Sequence, residues 1–234
     1  MQPRTIAIGD VHGCASALEI LLEAIEPRVT DLIVTLGDYV NRGPDSRGVL
    51  DRLIELERRC TLVPILGNHE EMLLELLEQA DSGRCPFLVD WLEMGGYATL
   101  ESYGARRGSI VKDDLARIPP QHLAFLRRCR DYHETETHIF VHAQYEPEMV
   151  MDEQPTDVLR WDSLRDGIPG RHVSGKRAIV GHTSQKSGEV LNLGHLVCID
   201  TYCYGGGWLT ALDVDADELW QVNRRGEPRR TGGT

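Results

Sequence analysis

The sequence predicts an α/β fold built as one large domain. Two patterns predict it: strand and helix signals alternate over residues 5–79, and the second half turns strand-rich. Composition agrees, since 41% of the 234 residues are hydrophobic and 26% charged, which suits a packed core rather than a disordered chain.

Thr5–Ile8 is a short β-branched run, and Cys14–Ile25 follows with Leu18, Leu21, Leu22 and Ile25 at helical spacing. Asp31–Leu36 is the next buried strand, and Ser46 reads as the N-cap of a helix to about Glu57. Leu62–Leu66 is the third strand and His69–Gln79 the third helix. This order implies parallel strands joined by crossover helices. Residues 91–108 mix short helical and Gly-punctuated segments, and Pro119–Cys129 is a helix opened by proline. Strands are then expected at Tyr132–Glu136, His138–His142, Ala178–Val180, Leu196–Asp200, Leu209–Asp213 and Leu219–Val222. With no repeat and no linker, residues 1–223 read as a single domain. Residues 224–234, with four arginines and no apolar anchor, read as a disordered tail.

A formal charge of −12 argues against phosphate-backbone binding, which needs a basic surface, so no nucleic-acid partner is expected. Bound divalent cations would still let such a chain take anionic substrates. The six cysteines, Cys14, Cys60, Cys85, Cys129, Cys198 and Cys203, form no CxxC pair and are expected as free thiols in a reducing compartment. No apolar run approaches the ~20 residues of a membrane span, and no signal-peptide core precedes the first strand. A cytoplasmic protein without a membrane partner is expected; the oligomeric state is open.

Three polar motifs stand where the first three strands end: Gly9-Asp10-Val11-His12-Gly13, Gly37-Asp38-Tyr39-Val40-Asn41-Arg42-Gly43 and Gly67-Asn68-His69-Glu70. In an open α/β sheet that edge is where ligands bind. His142 and His182 end two later apolar runs. Carboxylate, amide and imidazole donors without a thiolate disfavour structural zinc and suit Mn²⁺, Fe or catalytic Zn²⁺. Six such ligands exceed what one open catalytic ion needs and suit two, which together clamp a phosphoryl group and acidify a bound water.

These motifs, with Val141-His142-Ala143 and Gly181-His182-Thr183, resemble the calcineurin-like metallophosphoesterases. Among them they resemble the phosphoprotein phosphatases in their small bacterial form. Further likeness lies in residues 91–104 and 197–212. The resemblance implies an αββα sandwich, two central mixed sheets flanked by helices. It assigns one ion to Asp10, His12 and Asp38 and the other to Asp38, Asn68, His142 and His182, with Asp38 as the bridge. Arg42 then binds phosphate oxygens, for which a guanidinium fork is suited. His69 protonates the leaving oxygen while a metal-bridging hydroxide attacks phosphorus in line, a role typically worth ~10²–10⁴ in rate. A second phosphate-binding arginine is expected before His182; Arg160 is the choice and Arg165 its competitor.

The chain departs from the family pattern in two places. Asn41 stands where relatives carry an Asp that pairs with the histidine equivalent to His69, and Tyr202 stands where they often carry Gly. A neutral Asn41 leaves nothing obvious to favour protonated His69, so aryl phosphates are expected to suffer less than alkyl esters.

The reading is a metal-dependent phosphomonoesterase of the serine/threonine protein phosphatase type, acting on a phosphoprotein or small phosphoester. A dinucleoside polyphosphate hydrolase shares the same core, but its relatives commonly read GNHD with extra helical segments, where this shorter chain reads GNHE. A phospho-binding protein that kept the metal scaffold is the non-enzyme alternative. Gly170–Arg177 lacks the Ser/Thr of a phosphate-binding P-loop, and the EF-hand-like Asp213–Asp217 run lacks its Gly and closing Glu. Cys14, at a helix start beside the predicted site, is expected as a packing residue, with a lowered pKa and inhibition by oxidation as the alternative.

Overall fold

The computed structural model describes residues 3–80, 88–106 and 111–229. Two mixed sheets lie face to face at its centre. The first half supplies β1 (Thr5–Ile8), α1 (Ala15–Ile25), β2 (Leu32–Thr35), α2 (Ser46–Leu56), β3 (Thr61–Pro64) and α3 (Asn68–Ala80). Short helices α4 (Leu88–Trp91), α5 (Tyr97–Ser102), α6 (Val111–Leu115) and α7 (Pro120–Arg127) follow. The second half supplies β4 (Tyr132–Glu134), β5 (His138–Val141), α8 (Thr156–Trp161), β6 (Arg177–Val180), β7 (Leu191–Asn192) and β8 (Leu196–Cys198). Then come β9 (Asp200–Thr201), β10 (Trp208–Asp213) and β11 (Glu218–Asn223).

The first sheet runs β11-β10-β1-β2-β3, with β9 beside β10; the second runs β4-β5-β6-β8-β7. β1, β2 and β3 are mutually parallel, as are β5, β6 and β8. The interior residues of each parallel block are mostly apolar because both of its faces are buried there. Strand alternation sorts the side chains: Ile6 and Ile8 face α1, α2 and α7, whereas Ala7 points between the sheets. From the other side Phe140, Ile179 and Val197 meet it, while their neighbours Ile139, Val141, Val180 and Leu196 turn outward toward α8. A one-residue slip in any of these strands would exchange the two apolar layers.

Several expectations are corrected in detail. Asp45, not Ser46, caps α2, accepting the Gly48 backbone N–H at 2.8 Å. Ser46 is fully buried and its hydroxyl accepts the Asn41 backbone N–H instead. Helices α6 and α8 and strand β7 went unread because each is too short to show a period. The arginine-rich end is ordered through Arg229: its guanidinium bonds the Gly188 carbonyl and Gln221, pairs with Glu189, and lies over the Trp208 ring. Its anchor is therefore an arginine stem and charge rather than an apolar side chain. Residues 230–234 and Cys85 lie outside the described residues; the other five cysteines are free thiols. No helix among the described residues is long and apolar enough to cross a membrane.

Candidate metal centre

The two parallel blocks present their C-terminal edges to one place. Asp10 and His12 follow β1, Asp38 follows β2, Asn68 and His69 open α3 after β3, His142 follows β5 and His182 follows β6. All except His182 are at most 3% exposed.

Close approach of the loops requires glycine at two positions. A Cβ on Gly37 would sit 2.7 Å from the Gly67 nitrogen and 2.9 Å from His142 Nδ1; one on Gly67 would strike Asp38. Glu70 then ties the loops together. Its carboxylate accepts the backbone N–H groups of Asp38 (2.7 Å), Tyr39 (2.8 Å), Val40 (3.1 Å) and Gly67 (3.2 Å). The backbone is also strained here. His12, Asp38, Asn41, Arg42, His182 and Tyr202 all have positive φ between 43° and 69°. Each costs on the order of 1 kcal/mol, least for Asp, Asn and His, which tolerate that region best.

Two groups of side chains converge on Asp38. His12, Asp38 and His69 offer ligand atoms that all lie within 4.8 Å of one another, as do Asp38, His142 and His182. Asp38 Oδ2 is 3.3 Å from His12 Nε2, and Oδ1 is 3.5 Å from His142 Nε2. Asn68 Oδ1 joins the second group, 3.2 Å from the same His142 nitrogen. Asp10 is placed by His182, whose backbone N–H it accepts at 3.0 Å.

Three of the histidines are held from behind by main-chain carbonyls. His12 Nδ1 meets the Val40 oxygen at 3.1 Å, His142 Nδ1 the Leu36 oxygen at 2.6 Å, and His182 Nε2 the Trp161 oxygen at 3.0 Å. A carbonyl only accepts, so each of these nitrogens bears the hydrogen and the inward one is left with a bare lone pair. That is how proteins fix histidines for metals.

His69 is held differently. Its Nδ1 lies 2.7 Å from Asn41 Nδ2, while Asn41 Oδ1 accepts the Thr99 hydroxyl at 2.8 Å. With the amide so turned, Nδ1 accepts, and the hydrogen of the neutral ring sits on Nε2, facing the centre. Both His12 Nε2 and His69 Nε2 are buried without a partner.

Electrostatics push every buried group in the cluster toward neutrality. Burial, then the charges of Asp200 and Asp38, raises Asp10 well above the carboxylate range. Burial pushes Asp38 up to about 7 despite Arg42. Burial lowers His142 to about 4, and burial with His142 lowers His182 to about 3; His12 and His69 fall well below the ordinary histidine range, also chiefly through burial. Neutral imidazoles are ready ligands, and carboxylates this desolvated ionise readily only beside a cation.

The arginines differ sharply. Arg42 donates to the Tyr204 hydroxyl and lies over its ring, 4.6 Å from the centroid. Arg160 is instead ion-paired with Glu71 and Asp131, and Arg165 donates to the Ser184 carbonyl at 2.8 Å. Tyr202 stacks edge-on against Tyr204. Sequence reasoning gave no role to Tyr204 or Thr99 and used Asp200 only as part of the family likeness; for Tyr204 the available signal was the run Asp200-Thr201-Tyr202-Cys203-Tyr204-Gly205 just after β8.

A layered pair of mixed sheets with an aspartate shared between two histidine groups defines a metallophosphoesterase. The chain belongs to the calcineurin-like phosphoesterase family, whose sequence profile matches residues 3–185. It is 28% identical over 272 aligned positions to the symmetrical bis(5'-nucleosyl)-tetraphosphatase of Pseudomonas fluorescens, covering 92% of this chain and 89% of that protein. It is 29% identical over 217 positions to serine/threonine-protein phosphatase 1 of Salmonella typhimurium, covering 88% and 90%. Among solved structures, one provisionally assigned as a diadenosine tetraphosphatase superposes with a TM-score of 0.70 at 22% identity, covering 98% of this chain and 95% of that one. The αββα architecture is thus the fold of this protein.

Proposed function

We propose that the chain is a metal-dependent phosphomonoesterase of the serine/threonine protein phosphatase type. One observation carries the reading: Asp38 is shared by two groups whose histidines His12, His142 and His182 keep bare nitrogens turned inward. The orphaned His12 Nε2 and the thiolate-free donor set fit two divalent ions, Mn²⁺ first and Fe or Zn²⁺ next. Asp10, His12 and Asp38 would hold one, and Asp38, Asn68, His142 and His182 the other. Bound there, the ions would supply positive charge to the phosphoryl oxygens and a water acidic enough to act near neutral pH.

The chain's own groups do the rest. Arg42 binds the phosphoryl oxygens, and Arg160, whose guanidinium is paired with Glu71 and Asp131, becomes the second phosphate ligand by exchanging one of these carboxylates for the phosphoryl group. His69 is set apart from the ligands by its hydrogen: a nitrogen that bears one does not ligate a metal. Its Nε2–H, turned toward the centre, would bond the leaving oxygen.

Glu70 does not discriminate between substrates, because it braces loops rather than facing the centre. Length does. The tetraphosphatase alignment runs over 272 positions and must open gaps in a 234-residue chain, whereas the phosphatase alignment needs only 217. The second reading, a dinucleoside polyphosphate hydrolase, rests on the match to the Pseudomonas protein and to further bacterial symmetrical tetraphosphatases, and on the superposed diadenosine tetraphosphatase-type structure. Parallel assays of the Mn²⁺-loaded protein on a phosphoserine peptide and on diadenosine tetraphosphate separate the two. A kcat/KM at least tenfold higher on the peptide is expected; the reverse ratio overturns this reading in favour of the second, and turnover of neither leaves a phospho-binding scaffold.

A further inference from the structure

The Arg42 guanidinium has an unusual anchor. Among the described residues no carboxylate is ion-paired with it, whereas Arg160 nearby is paired with two. Its partner is a phenol: Arg42 Nη1 donates to Tyr204 Oη while the guanidinium lies over the Tyr204 ring. The backbone of Arg42 is fixed as well, by its N–H to the Gly95 carbonyl at 3.2 Å. Tyr204 in turn packs T-shaped against both His12 and Tyr202, with ring centroids 4.8 Å apart in each case.

We infer that Tyr204 is a positioning residue that holds Arg42 ready for the phosphoryl group without neutralising it. The inference rests on the reading of Arg42 as the phosphate-binding arginine. A carboxylate in Tyr204's place would hold the guanidinium at least as firmly, but it would cancel its charge and compete with the incoming phosphate. A neutral hydroxyl with a π-face orients the fork through one hydrogen bond and a cation–π contact and leaves the charge to the substrate. Loosening the anchor therefore weakens anion binding first, because the ordering of a long, rotamer-rich side chain must then be supplied on binding. None of the carbonyl anchors of the metal ligands involves Tyr204, and Tyr204→Phe keeps the ring that packs T-shaped against His12.

The test is a double-mutant cycle on the full-length, Mn²⁺-loaded protein. It uses Tyr204→Phe, Tyr204→Ala, Arg42→Ala and Arg42→Ala/Tyr204→Ala. The readouts are KM and kcat on p-nitrophenyl phosphate and, by calorimetry, the Kd of inorganic phosphate. Tyr204→Ala is expected to raise KM and the phosphate Kd about tenfold with kcat changed less than threefold. Tyr204→Phe, which keeps the ring, should fall between Ala and the parent. In the Arg42→Ala background Tyr204→Ala should add less than twofold. An undiminished effect of Tyr204→Ala without Arg42, or a Tyr204→Ala phosphate Kd equal to the parent's, overturns the inference. If Arg42→Ala alone leaves the phosphate Kd unchanged, the reading of Arg42 fails instead, and the two failures are distinct.

Discussion

Asn41 Nδ2 lies 2.7 Å from His69 Nδ1, with the amide oriented by a hydrogen bond from Thr99 to its oxygen. A side chain that donates to Nδ1 opposes the imidazolium form, in which Nδ1 itself must donate. His69 can then hydrogen-bond a leaving oxygen but hands over a full proton with difficulty. Asn41→Asp reverses the polarity, since a carboxylate accepts from Nδ1–H. The variant is expected to raise kcat on an alkyl phosphomonoester about tenfold or more, part of the ~10²–10⁴ that general acids supply. On p-nitrophenyl phosphate, whose leaving group needs no proton, the gain should be less than threefold. Equal gains on both substrates would show that Asn41 does not act through proton delivery.

Glu70 is expected to matter for stability and not for substrate choice. Glu70→Gln places an amide N–H against backbone donors and leaves at least one buried N–H unpaired, a loss of about 1–3 kcal/mol. Urea denaturation should show that loss with metal present. The ratio of peptide to diadenosine tetraphosphate turnover should stay within twofold; a change in that ratio would place Glu70 in substrate recognition after all.

The two candidate second arginines separate by kinetics. Arg160→Ala is expected to lower kcat/KM on p-nitrophenyl phosphate about tenfold and to destabilise the fold, because Glu71 and Asp131 lose the cation they share. Arg165→Ala, whose guanidinium bonds the Ser184 carbonyl among the described residues, should change kcat/KM less than threefold. The opposite ranking would transfer the role to Arg165.

Away from the centre, Asp31 gives a pH signature. Burial opposes its ionisation, but hydrogen bonds from Arg4 (2.5 Å) and the Arg28 backbone N–H (2.9 Å) outweigh burial and hold the carboxyl below its ordinary range. A carboxyl depressed in the folded state stabilises above its unfolded pKa of about 3.9, and that contribution is lost as pH falls through the lower folded value. Asp31→Asn is therefore expected to cost about 1.5–3 kcal/mol at pH 7. The melting-temperature gap to the parent should close below about pH 4. A gap that persists undiminished at pH 3 would mean the pair acts by packing rather than charge.

Much of this architecture was legible in the sequence, and the reason is physical. Parallel strands buried on both faces appear as mostly apolar runs, and the polar residues that end them fall on one sheet edge, so Asp10, Asp38, Asn68, His142 and His182 could be grouped before any coordinates. What stayed hidden depends on direction rather than residue type. The same GNHE motif that announces Asn68 and His69 contains Glu70, yet only the folded chain shows its carboxylate turned back onto four amides. Likewise the pairing of Tyr204 with Arg42 spans 162 positions and has no local pattern. The ordered turn through Arg229 was missed because its anchor is cationic and polar, whereas a tail is ordinarily judged by its apolar content.

The most direct test of the central claim is the metal content and chelator sensitivity of the purified protein. After Mn²⁺ loading and desalting, elemental analysis should find two Mn²⁺ per chain, and hydrolysis of p-nitrophenyl phosphate should vanish with chelator and return with Mn²⁺. Asp38→Asn, which disturbs both groups at once, should lower the bound metal below one per chain and abolish turnover. Full hydrolysis in the presence of chelator, or a fully active Asp38→Asn protein, would contradict the shared two-metal centre.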